Sequence, residues 1–162
     1  MAVRKILNYT MTNLRKKTSN VTVFDQNIVS LIQDLEDTMY EAGGQALSAP
    51  QIGVNQQVAI VDMGVEGLLQ LINPVLVSAS TEMTTEIEGC LSIPNRYGEV
   101  TRSRMIVVKS YDVNGNQVEL TAYDDIARMI LHEIDTLNGT LFIDKMDKEI
   151  PLEALEAYLD YE

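Results

Sequence analysis

After Asp25 the apolar positions Ile28, Leu31, Ile32, Leu35 and Met39 recur at helical spacing, so one stripe of a helix faces a core. Asp25 is placed to cap that helix and Gly43-Gly44 to end it. The period then changes. Residues 57–62 and 69–78 are rich in Val, Ile and Leu and read as strands or strand fragments, with Asn73-Pro74 interrupting the second because proline removes a ladder donor. Residues 105–111 and 117–121 flank Asp112-Val-Asn-Gly-Asn116, in which Asn114-Gly115 is a strong hairpin signal. A second helix starts at Asp124 or Asp125, carries Ile126, Met129, Ile130, Glu133 and Leu137 on or near one stripe, and stops at Asn138-Gly139. Pro151 opens a short acidic helix whose Leu152, Leu155 and Leu159 are expected to point inward. Strands first, hairpins between them and one central helix predict an α+β class. No repeat, low-complexity segment or Pro/Gly-rich linker divides the chain, so residues 1–162 are expected to form a single domain.

Composition narrows the setting. A chain of 162 residues, 46% apolar, is long enough to bury a core without staples. Its single cysteine cannot make an internal disulfide, which suits a reducing cytoplasm. No apolar run approaches 18 residues, so no membrane span is expected. Arg4, Lys5, Arg15, Lys16 and Lys17 precede the first acid, Asp25, as in a transit peptide, but Val3 to Leu7 reads as domain sequence. Beyond Lys17, seven basic residues face 24 acidic ones, and net charge is -12. Such a surface repels phosphate backbones and argues against direct nucleic-acid binding.

Candidate chemistry centres on residues 132–139, His-Glu-Ile-Asp-Thr-Leu-Asn-Gly, which hold the only histidine. His-Glu on a helix is how many metallohydrolases set a metal ligand beside a general base, with a second histidine four residues on. That place holds Thr136. The only cysteine, Cys90, lies in Ile-Glu-Gly-Cys-Leu-Ser-Ile-Pro at 87–94. A thiolate and an imidazole together suit Zn(II) or Fe(II). Each alone has a plainer reading, as a hydrogen-bonded structural histidine and a buried small hydrophobe.

Residues 43–53, Gly-Gly-Gln-Ala-Leu-Ser-Ala-Pro-Gln-Ile-Gly, complete a set. In this order the three segments resemble the peptide deformylases, whose signatures are GxGLAAPQIG, EGCLS and HExDHLxG. The resemblance runs from Val3-Arg4-Lys5-Ile6-Leu7 to Leu141-Phe142; EGCLS is matched in full, while Ala46, Ser48 and Thr136 depart from the other two signatures. It implies antiparallel or mixed sheets around a central helix that carries the His-Glu motif. It implies metal ligation by Cys90 and His132, with Fe(II) preferred and Zn, Ni or Co able to substitute. Glu133 would move the proton, and the Gln51 amide and Leu91 backbone NH would meet the oxyanion. Gly44, Gln45, Ala46 and Gly89 would bind substrate backbone. Met129 either lines the pocket for the substrate's methionine or packs in the core, and Arg96 either holds substrate or is solvated.

The implied reaction is hydrolysis of the formyl group from N-formylmethionyl peptides leaving the ribosome. The short acidic tail argues against docking on the ribosome itself. The rival reading is a catalytically silent deformylase-like peptide-binding protein with a weak or empty metal site. Thr136 fits a natural loss, an engineered change or a poorer ligand, the last being least suited because a neutral hydroxyl is not a usual donor for these metals. Weak metal binding and slow turnover follow as expectations.

Overall fold

The computed structural model describes residues 2–10 and 12–159. Helix α1, Gln26–Glu41, is capped by Asp25, whose side chain accepts from the Asn27 NH at 2.9 Å. Its end falls just before Gly43, whose φ of 71° any side chain would strain. All five predicted stripe residues are buried.

Five strands form one antiparallel sheet in the order β1-β2-β3-β6-β7: β1 Ala46–Ser48, β2 Val58–Asp62, β3 Leu68–Ala79, β6 Met105–Tyr111 and β7 Gln117–Tyr123. β2 is apolar from Val58 to Val61 because those four residues are covered on both faces. Val58 and Ile60 pack toward α1, whereas Ala59 and Val61 join the cluster that holds Ala127, Ile130 and Leu137. Those last three belong to α2, Asp124–Leu137, so the sheet lies between the two long helices. The interruption expected at Asn73-Pro74 is a break in register between Ile72 and Val75, with Asn73 at φ 50°, rather than a division into two strands.

The second sheet has the order β4-β5-β8, from β4 Met83–Cys90, β5 Ile93–Ser103 and β8 Lys148–Ile150. Its pairings are antiparallel; among the described residues the one parallel contact is an isolated bridge between Ser19 and Gln56. β4 and β5 are long strands absent from the sequence reading. Their polar, glycine-containing stretches follow neither an apolar run nor strict alternation. A small core of Ile93, Val100, Leu141 and Phe142 fastens this sheet to the turn after α2 and to α3, Phe142–Lys145.

The last helix, α4, spans Leu152–Leu159 and starts directly after Pro151. Leu152 is 50% exposed, which corrects its inward placement; Leu155 is half-buried, and the Leu159 side chain lies outside the described residues. Among the described residues no helix is long and apolar enough to cross a membrane.

Candidate active site

A cavity of about 520 Å³ opens between β1, β4 and one face of α2. Gly44, Gln45, Ala46, Gln51, Gly89, Cys90, Leu91, Met129, His132 and Glu133 all line it. Three segments far apart in sequence supply these ten residues. On α2, residues 125, 129 and 132 rise along one face at i, i+4 and i+7, so Asp125, Met129 and His132 face the same space.

Gln51 sits in the 3-10 turn Ala49–Ile52, where proline can begin the turn without losing a bond. Its Oε1 accepts from the Ser48 NH at 3.0 Å and the Ser48 hydroxyl at 2.9 Å. That fixes the amide, and Nε2 then donates to Ser92 Oγ at 3.0 Å and reaches Cys90 Sγ at 3.4 Å. The N-terminal segment braces the same corner, since Leu7 NH donates to Gln51 O and Tyr9 NH to Ser92 O. Gly44 precedes β1, which is an edge strand paired only with β2. The extended stretch thus starts at Ala46, while Gly44 and Gln45 turn out of α1 and leave Gln45 exposed. Close approach explains Gly89: a Cβ there would lie 2.7 Å from the Tyr97 ring.

Behind His132 is a buried charged network missing from the sequence reading. Glu88 Oε1 meets His132 Nδ1 at 2.8 Å and accepts from Arg102 Nη2 at 2.9 Å; Oε2 accepts from Arg102 Nε at 2.5 Å and Arg128 Nη1 at 2.7 Å. Arg102 also donates to Asp135 at 2.9 Å. Arg128 is spent on the scaffold as well, donating to Val100 O and Thr84 O. With a carboxylate facing it, Nδ1 carries the proton, and Nε2 is left for the cavity side. The ring stacks on Phe142 with centroids 6.1 Å apart. Glu88 belongs to the EGCLS segment, which was a usable signal; nothing in the spacing of Arg102 or Arg128 marks them.

Burial opposes ionisation of Glu88, but hydrogen bonds from His132 and Arg102 hold its carboxyl down to about 2. Burial likewise works against charge on His132, yet hydrogen bonds with Cys90 and Glu88 bring it up to about 10. Glu133 lies the other way: burial pushes it up to about 7, against the pull of His132 and Ser48. It is 2% exposed, and its Oε2 has no hydrogen-bond partner. A buried carboxyl poised near neutrality is a reasonable proton carrier.

Thr136 is buried one turn beyond His132, and its hydroxyl donates to the His132 carbonyl at 3.0 Å. It closes a bond within its own helix rather than offering a donor to the cavity. Among the described residues no group of three His, Cys, Asp or Glu side chains is placed to hold a metal ion. Cys90 and His132 therefore fall one donor short of a three-ligand catalytic site, and the residues present do not fit it. Arg96 is engaged elsewhere, paired in two bonds with Glu149 at 3.1 and 2.8 Å beside the Tyr9 ring.

The family model described as polypeptide deformylase matches residues 3–151. A peptide deformylase-like protein of Staphylococcus epidermidis is 54% identical over 162 residues, covering all of both chains. A peptide deformylase of Caldicellulosiruptor bescii is 44% identical over 156 residues, 96% of this chain and 93% of that one. Among solved structures, the peptide deformylase of Thermotoga maritima superposes with a TM-score of 0.88 at 36% identity, covering 91% of this chain and 99% of that one.

Proposed function

The chain belongs to the polypeptide deformylase family, and on that footing we propose that it takes N-formylmethionyl peptides into the cavity and releases their formyl group slowly, Thr136 being the cause of the slowness. The observation that carries this reading is the convergence of all ten candidate residues on one cavity large enough for the end of a peptide. The free edge of β1 at Ala46, preceded by Gly44 and Gln45, presents backbone groups to an extended peptide. Met129, half-buried on the helical wall, borders the space for an unbranched apolar side chain. The Gln51 amide and the Leu91 NH meet the formyl oxygen as it gains charge; a preorganised donor of this kind is worth roughly 3 to 4 kcal/mol. Glu133 takes a proton from the attacking water and returns it to the departing amine, and the carboxyl's rise toward neutrality lets it do both. In the family a metal also serves at this place. Here two protein donors, Cys90 and His132, stand where the family uses three, so the ion is expected to be held weakly. The free thiol suits a cytoplasmic setting, and the net charge of -12 disfavours nucleic acid as a partner.

Comparison of the unaltered chain with Thr136→His tests this. Each is supplied with Fe(II), Zn(II), Ni(II) or Co(II), and bound metal and formate release from an N-formylmethionyl dipeptide are measured. The helical i, i+4 spacing aims the new imidazole beside His132. Restored metal affinity should be at least about 10- to 100-fold, since even changes around ligands cost that much, and turnover should rise with it. Tightly held metal and brisk formate release by the unaltered chain would overturn the assigned role of Thr136. No formate from either protein would overturn the deformylase reading.

A further inference from the structure

The acidic and basic side chains that line the cavity are of two kinds. Glu88, Arg128 and Glu133 are buried, and Arg128 is committed to Glu88 at 2.7 Å. Asp125 is exposed, and among the described residues it forms no ion pair, whereas its neighbour Asp124 is taken by Arg104 at 3.1 Å. Both aspartates lie in the first turn of α2, where the helix dipole favours an acid. Position separates them: Asp125 lines the cavity and Asp124 does not. Asp125 also shares its helix face with Met129 and His132. At a rise of about 1.5 Å per residue, Met129 sits about 4.5 Å along the axis from His132, and Asp125 about 6 Å farther. A substrate side chain laid along this wall from the reacting end passes the half-buried Met129 and ends at a carboxylate open to water.

We propose that Asp125 makes this wall select a cation at the end of an unbranched stem, so that formylated peptides beginning with lysine or arginine are held more tightly than those with an apolar side chain of the same length. The inference rests on the reading of the preceding section, in which the cavity takes formylated peptides, and it adds the side chain that the cavity prefers. Methionine still fits, because its unbranched thioether lies against Met129. The four methylenes of lysine follow the same path and carry the ammonium beyond it. Stem and head then meet different surroundings: the stem packs on Met129 while the head stays in water beside Asp125. Because Asp125 is exposed, the ammonium is paired without being stripped of its hydration, so the gain is that of a surface ion pair and escapes the desolvation penalty of a buried one. An apolar stem of equal length ends against a hydrated carboxylate and gains nothing there. Arg128 does not oppose the cation, since Glu88 compensates its charge and its remaining donors go to Val100 O and Thr84 O.

Lysine and norleucine share a four-carbon stem and differ by the terminal ammonium, so N-formyl-lysyl-alanine and N-formyl-norleucyl-alanine isolate that group. Dissociation constants for both are measured on the purified full chain by isothermal titration calorimetry, with formate release followed separately. The unaltered chain should bind the lysyl peptide about 5-fold more tightly at low ionic strength, the upper range for an exposed ion pair, and salt should narrow the difference. Asp125→Asn should bring the two peptides within about twofold of each other, and Asp125→Lys should reverse the order. Asp124→Asn removes the same charge one residue away and off the cavity, and should keep the preference of the unaltered chain. That variant separates local pairing from the general pull of a net charge of -12 on any cationic peptide. If Asp125 serves only the helix dipole, Asp125→Asn lowers the melting temperature and leaves the preference as it was, which would overturn the proposal. So would equal binding of the two peptides by the unaltered chain, or an equal loss of preference in Asp124→Asn and Asp125→Asn. In each of these cases formate release from the N-formylmethionyl dipeptide still judges the deformylase reading by itself. No binding of either peptide and no formate from any of the three would overturn both.

Discussion

His132 has two sides, and they are built differently. Behind it, Glu88 is held by Arg102, Arg128 and the imidazole at 2.5 to 2.9 Å, and Asp135 completes the set through Arg102. In front, Thr136 turns its hydroxyl back to a helix carbonyl and Glu133 keeps an oxygen without a partner. The rear over-determines the orientation of one ring; the front leaves a donor position unfilled. Buried charges tolerate no partial loss, because each unpaired ion bears its full desolvation penalty. A threonine facing a helix carbonyl carries no such constraint. The contrast shows how the orientation of His132 can be fixed independently of which residue stands at position 136.

The largest effect is expected behind the ring. Glu88→Gln removes the anion shared by two arginines and should cost about 3 to 5 kcal/mol at neutral pH in urea unfolding followed by circular dichroism. Acid provides the matching check. Because the folded state holds Glu88 down to about 2 from 4.5, its contribution is complete above pH 4.5 and is lost as pH falls toward 2. That span corresponds to about 3 kcal/mol. The unaltered protein should therefore lose stability through this window more steeply than Glu88→Gln, and parallel curves would show that Glu88 is not held as described. Next in size is the coupling within the network. Arg128→Met combined with Glu88→Gln should destabilise less than the two single changes together, by about 1 to 3 kcal/mol in a double-mutant cycle. Strict additivity would reduce the network to independent bonds. The smallest effect is expected in front: Thr136→Val keeps the shape, loses one hydrogen bond to the helix and should cost within about 1 kcal/mol. A loss as large as that of Glu88→Gln would erase the difference between the two sides.

The elements most legible in the sequence were those whose burial is one-sided or whose ends have their own chemistry. α1 shows a single apolar stripe and an Asp25 cap, and the β6–β7 hairpin shows Asn114-Gly115, with Gly115 at φ 84°. β2 was also legible, as an unbroken apolar run buried on both faces. β4 and β5 were not, because half of the β4 residues are exposed without regular alternation and its pairing is decided by a partner strand instead of by its own pattern. The same division runs through the site. Cys90, His132, Glu133 and Gln51 stood out by residue type and by their short motifs, and all lie on the cavity.

By itself, the amino-acid sequence determined the kinds of reactive group available, their order along the chain, and the absence of a histidine at position 136. Only the tertiary structure decided that Arg102 from β5 and Arg128 from α2 would meet on Glu88, and that Glu133 would be buried with an oxygen to spare. The physical reason is that a motif records neighbours within a few residues, over which helix and turn geometry repeat. Charge compensation and desolvation are properties of the surroundings, set by groups 14 to 44 residues away that come together only when the sheet closes over the helix.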